Sequence, residues 1–163
     1  FFACVGMVYD RAHTRDIPSL GGFVQKMPWV AVAFIIGGLV SMGMPGLSGF
    51  VAEFPIFLGL WNGPAFDPDP NWLTGTFNYY GLIAVIAALG IIITAAYVLR
   101  VVGQVFFGEF HAERFPHIAG ITVYDKIALI ILVFWLVLLG VYPRLMAPMI
   151  ESGVRPIVSM LGG

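Results

Sequence analysis

The sequence predicts an all-α fold: a polytopic membrane fragment built as a transmembrane helix bundle with one discontinuous (broken) helix. Three observations carry that expectation. The chain is 60% hydrophobic and 10% charged, with a mean hydropathy of +0.94, whereas soluble domains carry about 25% charge. Residues 28–61, 80–107 and 127–143 are almost free of charge. The first of these stretches contains the run Gly43-Met44-Pro45-Gly46-Leu47-Ser48-Gly49, in which proline removes a backbone donor and the glycines permit turns.

Taken in order, residues 1–9 are uncharged. As a helix they rise only about 13 Å, well short of a hydrocarbon core of roughly 30 Å. With no initiator Met and no basic flank they do not read as a signal peptide. The expectation is the end of a truncated transmembrane helix, and hence a C-terminal piece of a longer protein. Residues 28–62 are too long for one straight span, since the apolar stretch 28–61 alone would extend about 51 Å, and too short for two spans of about 20 residues.

Loop charge arbitrates. Arg11, Arg15 and Lys26 precede the stretch, whereas Asp67 and Asp69 follow it without Lys or Arg. Arg114 and Lys126 then occupy the next loop, with Arg100 close by. Basic excess marks the inner side, so the order is inside, outside, inside, and residues 28–62 cross an odd number of times. One crossing, broken at Gly43, Pro45, Gly46, Ser48 and Gly49, meets both constraints. Residues 80–107 and 124–143 are each one further span. Residues 144–163 form a tail in which Pro148 and Pro156 are expected to limit any helix, with Glu151 and Arg155 at i,i+4.

Glu53 is the only charged residue between Lys26 and Asp67. A carboxylate at bilayer depth is costly, with insertion scales giving about +2.5 to +3.5 kcal/mol for Asp at a helix centre. Broken helices survive in a membrane where protein or water satisfies the freed backbone, and they recur at transporter binding sites. If Ser48 is the N-cap of the second half-helix, Glu53 falls in its second turn. A proton relay is favoured over a purely structural carboxylate, and any basic partner at that depth is expected outside this sequence.

Other polar residues carry weaker expectations. Arg100, toward the inner end of its span, reads as a snorkelling cation, with tuning of an inner half-channel as the functional alternative. His13 reads as a loop or interface residue able to exchange protons near neutral pH. Glu109, His111, Glu113 and His117 match no zinc spacing, so a solvated loop is expected and no metal. Asp10–Arg11 and Arg15–Asp16 could pair within the inner loop, but exposed pairs contribute little, typically about 0–1 kcal/mol, and their value is as an orientation signal. Trp29, Trp61, Trp72, Tyr79 and Tyr80 stand at segment ends, as interfacial aromatics do. Gly37 and Gly38 suit close helix packing. A single cysteine excludes an internal disulfide, and no basic patch suggests nucleic acid. Without a phosphate-binding glycine fingerprint, a cysteine cluster or a nucleophile–base pair, the chain is expected to carry no cofactor and no redox chemistry.

Several blocks occur together: Val8-Tyr9-Asp10-Arg11-Ala12-His13-Thr14-Arg15-Asp16, then Gly21-Gly22, Lys26-Met27-Pro28, Gly43-Met44-Pro45-Gly46 and Gly49-Phe50-Val51-Ala52-Glu53-Phe54. As a set and in this order they resemble subunit M of proton-pumping NADH–quinone oxidoreductase, the bacterial counterpart of mitochondrial complex I chain 4. The resemblance runs to about Gly140-Val141-Tyr142-Pro143 and leaves the final residues unmatched. It implies an antiporter-like membrane-arm subunit in which the glutamate of the Gly-Phe-Val-(Gly/Ala)-Glu-Phe block, here Glu53, ends a chain of ionisable groups. It implies NAD, flavin, iron–sulfur and quinone sites only in other subunits. Its implied partners are the other membrane-arm subunits, the missing upstream part of the same chain and the lipid bilayer, and its implied location is the bacterial inner membrane, or an organelle inner membrane in a eukaryote. Two rivals stand beside it: a subunit of a multisubunit cation/proton antiporter or membrane-bound hydrogenase, and a structural or assembly element without transport.

Overall fold

The computed structural model describes residues 1–62, 79–116 and 118–162. Among them the regular elements are all helical: α1 (Phe2–Ala12), α2 (Pro28–Ser41), α3 (Ser48–Asn62), α4 (Tyr79–Val105), α5 (Val123–Val141) and α6 (Ala147–Gly162), with single turns at Ile17–Ser19, Phe23–Gln25 and Pro143–Leu145. The chain is an all-α membrane helix bundle. Residues 67–70, Trp72 and His117 lie outside the described residues, as does the side chain of Tyr79.

Among the described residues, only α4 and α5 are long and apolar enough to cross a bilayer alone. α2 opens on Pro28, whose fixed φ suits a first helical turn. With 14 residues it rises about 21 Å. α3, with 15 residues, rises about 22 Å, so neither half reaches across a core of roughly 30 Å by itself. The interruption occupies residues 42–47.

α2 is the hub, touching α1, α3, α4 and α5, while α3 packs on α4 and α5. Gly38 allows the approach of α4: a Cβ there would stand 2.6 Å from Val98 Cγ1. Gly37 faces the Phe1 ring, which meets Phe34 edge-on at 4.7 Å.

The densest core lies at the basic end of the bundle. Phe23, Met27, Val30 and Phe106 are fully buried there. The Phe23 ring meets those of Phe115 and Phe110 edge-on at 5.5 and 6.1 Å. The Val24 N–H donates to the Phe106 carbonyl at 3.1 Å. Gly22, at φ +64°, lies under the backbone of Phe110, where any side chain would collide. The loop after α4 is therefore stapled down by two aromatic rings, although Glu109, His111 and Glu113 remain exposed.

Two expectations are corrected. Arg11 does not pair with Asp10, because adjacent helix residues diverge by about 100°. Its guanidinium bonds Asp125 at 2.5 Å, while Arg15 lies over the Tyr9 ring at 4.6 Å. From Ala147 to Gly162 the tail forms one continuous helix, α6, that passes through Pro156. Pro148 sits in the first turn, where no backbone donor is needed, and Pro156 removes one interior bond without ending the helix. The Glu151–Arg155 pair forms at 2.7 Å on the exposed surface of α6.

Candidate functional site

The end of α2 is a complete glycine cap. The Gly43 N–H donates to the Val40 carbonyl and the Met44 N–H to the Leu39 carbonyl, both at 3.1 Å. Gly43 takes φ +66°, the left-handed conformation this cap requires. Gly46 follows at φ +90°, and the Leu47 N–H returns to the Met44 carbonyl at 3.2 Å, closing a second turn around Pro45. The connection between the half-helices is thus six residues of ordered turn.

α3 starts at Ser48 itself, one position earlier than a Ser48 N-cap would place it, and the Ser48 hydroxyl makes no hydrogen bond among the described residues. Tight contacts seat this start. A Cβ on Gly49 would collide with the Val40 carbonyl of α2, and one on Gly140 of α5 would collide with Leu47 Cα and the Gly46 carbonyl. The interruption is therefore clamped from two sides by backbone. It also brings the negative end of the α2 dipole, about half an electron charge, beside the positive end of α3.

Glu53 reaches into this arrangement from the second turn of α3. A Cβ on Gly43 would stand 2.5 Å from its Oε2, so the carboxylate rests against the left-handed turn. The residue is half-buried, and Phe50 and Phe54 stack beside it on the same helix at 5.0 Å. No ion pair or side-chain hydrogen bond reaches Glu53 among the described residues. Two residues further on, Pro55 stands inside α3 and leaves the Val51 carbonyl without its helical donor.

Glu53 thus comes together with Gly43, and Gly46 and Gly49 complete the clamp with Gly140 and Val40. Arg100 and His13 do not join it. Arg100 is exposed on α4, about 8 Å before the helix end at Val105, and is unpaired among the described residues. His13 caps α1 in the left-handed region at φ 51°, its N–H donating to the Tyr9 carbonyl at 2.8 Å, with an exposed side chain. Its visible role is to end a helix.

Sequence reasoning missed the site around Asp125. Thr122 and Asp125 form a reciprocal capping box at the start of α5, and Arg11 bonds the same carboxylate. The Thr-x-x-Asp spacing signals the box, but nothing local signals the arginine.

Comparison with known proteins places these residues in a family. The family described as "NADH:quinone oxidoreductase/Mrp antiporter, TM" matches residues 1–66, the segment that holds the break and Glu53. NADH-quinone oxidoreductase subunit M of Rhodobacter capsulatus is 37% identical over 157 residues, covering 96% of this chain and 28% of that protein. NAD(P)H-quinone oxidoreductase chain 4 of Synechococcus sp. (strain CC9902) is 33% identical over 160 residues, covering 97% and 28%. Subunit M of Rickettsia felis is 34% identical over 142 residues, covering 87% and 26%. The chain therefore spans little more than a quarter of the length of these relatives. The similarity to the first two passes Pro143 into the tail, beyond where the sequence motifs end. Over the part that it covers, the chain belongs to the family of subunit M and chain 4 proteins of NADH–quinone oxidoreductases.

Proposed function

We propose that this chain is part of an antiporter-like membrane-arm subunit of an NADH–quinone oxidoreductase and takes part in proton translocation driven by electron transfer elsewhere in that complex. The observation that carries the reading is the Glu53 carboxylate resting on Gly43 inside a clamped helix break. A lone acid in an apolar span is costly, and a break supplies polar backbone that a continuous helix hides. Glu53 then serves as a proton relay, taking a proton on one side of the break and releasing it when a neighbouring charge changes. The break residues hold the geometry. Among the described residues neither Arg100 nor His13 pairs with Glu53, and the reading restricts Arg100 to tuning charge at the inner end of α4.

In this reading NAD, flavin, iron–sulfur and quinone chemistry belong to other subunits. The partners are those membrane-arm subunits and the bilayer, and the location is a bacterial inner membrane. The family description also covers Mrp antiporters, but the quinone-oxidoreductase names of the relatives favour the respiratory role. The test replaces Glu53 with Gln in the full-length subunit within its complex. Loss of proton pumping with electron transfer retained supports the relay, and undiminished pumping removes the carboxylate from it.

A further inference from the structure

The Arg11 side chain is held by three acceptors. Its Nη2 donates to Asp125 Oδ2 at 2.5 Å, its Nη1 to the Met7 carbonyl at 2.9 Å and its Nε to the Gly120 carbonyl at 3.5 Å. The two charged side chains are only 12% and 25% exposed, unlike a solvated surface pair. Asp125 Oδ2 also accepts from the Thr122 N–H at 3.0 Å, and Thr122 Oγ1 accepts from the Asp125 N–H at 3.3 Å. One carboxylate therefore both caps α5 and ties it to the last turn of α1. About 22 Å along the same helix, Gly140 seats on Leu47 and the Gly46 carbonyl within the break. α5 is a rigid element fixed at both ends, by charge at one and by backbone contact at the other.

From this geometry we infer that Arg11 and Asp125 are positioning residues that set the seating of α5 against the break and, through it, the placement of Glu53. The inference rests on Glu53 being the relay. A slide of α5 along its axis would move Gly140 off Leu47 and release the turn that holds Gly43 against the carboxylate. Misplacement by about 1 Å can cost on the order of 100-fold in a positioned reaction. A salt bridge that acted only as a staple would change stability without changing coupling.

The experiment uses the full-length subunit in its assembled complex and measures protons moved per electron transferred, with complex content as a separate readout. Arg11→Met keeps the packing of the stem and removes the charge. Asp125→Asn keeps an acceptor for the capping box and removes the charge facing Arg11. Asp125→Glu keeps both. Each of the first two is expected to show a clear loss in the proton-to-electron ratio, with Asp125→Glu close to the parent. The double variant should be no worse than either single one, since the two residues act as a unit. Gly140→Ala, which leaves the ion pair intact, should lower the ratio likewise and covers the case in which the charge variants fail to assemble. A parent-like ratio in assembled Arg11→Met, Asp125→Asn or Gly140→Ala complexes overturns the inference, as do additive losses in the double variant. Measured alongside, Glu53→Gln separates the two ideas: pumping lost there but kept in the pair variants sinks the positioning role alone, and pumping kept in Glu53→Gln sinks the relay.

Discussion

Glu53 and Gly43 share one position in space. The carboxylate fills the volume that a side chain on Gly43 would need, with Oε2 2.5 Å from where its Cβ would be. Gly43 meets two demands at once, a left-handed turn at φ +66° and room for an acid.

Gly43→Ala is therefore expected to act on both. The left-handed conformation costs a non-glycine residue roughly 1–2 kcal/mol, and the new methyl group must push the carboxylate aside. The complex should be modestly less stable while the proton-to-electron ratio falls clearly. Thermal unfolding of the purified complex and pumping in sealed vesicles measure the two effects.

Gly49→Ala tests the clamp rather than the acid. Its Cβ collides with the backbone carbonyl of Val40, which cannot rotate away as a side chain does. Overpacking of this kind costs about 1–3 kcal/mol, and the expected outcome is reduced assembly or a lowered melting temperature. A parent-like protein would mean that the two half-helices are not held this closely.

Thr122→Ala removes one half of the capping box and leaves Asp125 its bond to Arg11. Loss of an N-cap costs about 1 kcal/mol, so a small drop in stability is expected with pumping retained. The same two assays report it.

Arg100 is exposed and unpaired among the described residues, and it makes no ion pair with Glu53. Arg100→Lys should pump like the parent, and Arg100→Gln should keep its proton-to-electron ratio even where membrane insertion or yield falls. A selective loss of pumping in Arg100→Gln would place this cation in the proton path.

Much of the architecture is legible in the sequence for definite reasons. Hydrophobic length and loop charge point to a helix interrupted within residues 28–62, and the structure divides that stretch into α2 and α3 on either side of Pro45 and its glycines. Glu53 is conspicuous because nothing else between Lys26 and Asp67 is charged. Less legible is whatever depends on distant partners. Arg11 stands 114 residues from Asp125, and a local reading pairs it with Asp10 instead. Phe110 and Phe115 look like ordinary members of a polar loop until Phe23 is seen between them. The α6 helix outlasts Pro156 because one missing interior bond does not overcome the rest of the helix. The start of α3 shifts to Ser48 because backbone contacts of Gly49 and Gly140, rather than a side-chain cap, fix where it begins.

The central claim is that the Glu53 carboxyl carries protons through the break. It is tested most directly by counting protons moved per electron in complexes with Glu53→Gln, a near-isosteric change that keeps hydrogen bonding and removes titration. The account predicts assembled complexes that transfer electrons but pump markedly fewer protons. A parent-like ratio at parent-like complex content would contradict it.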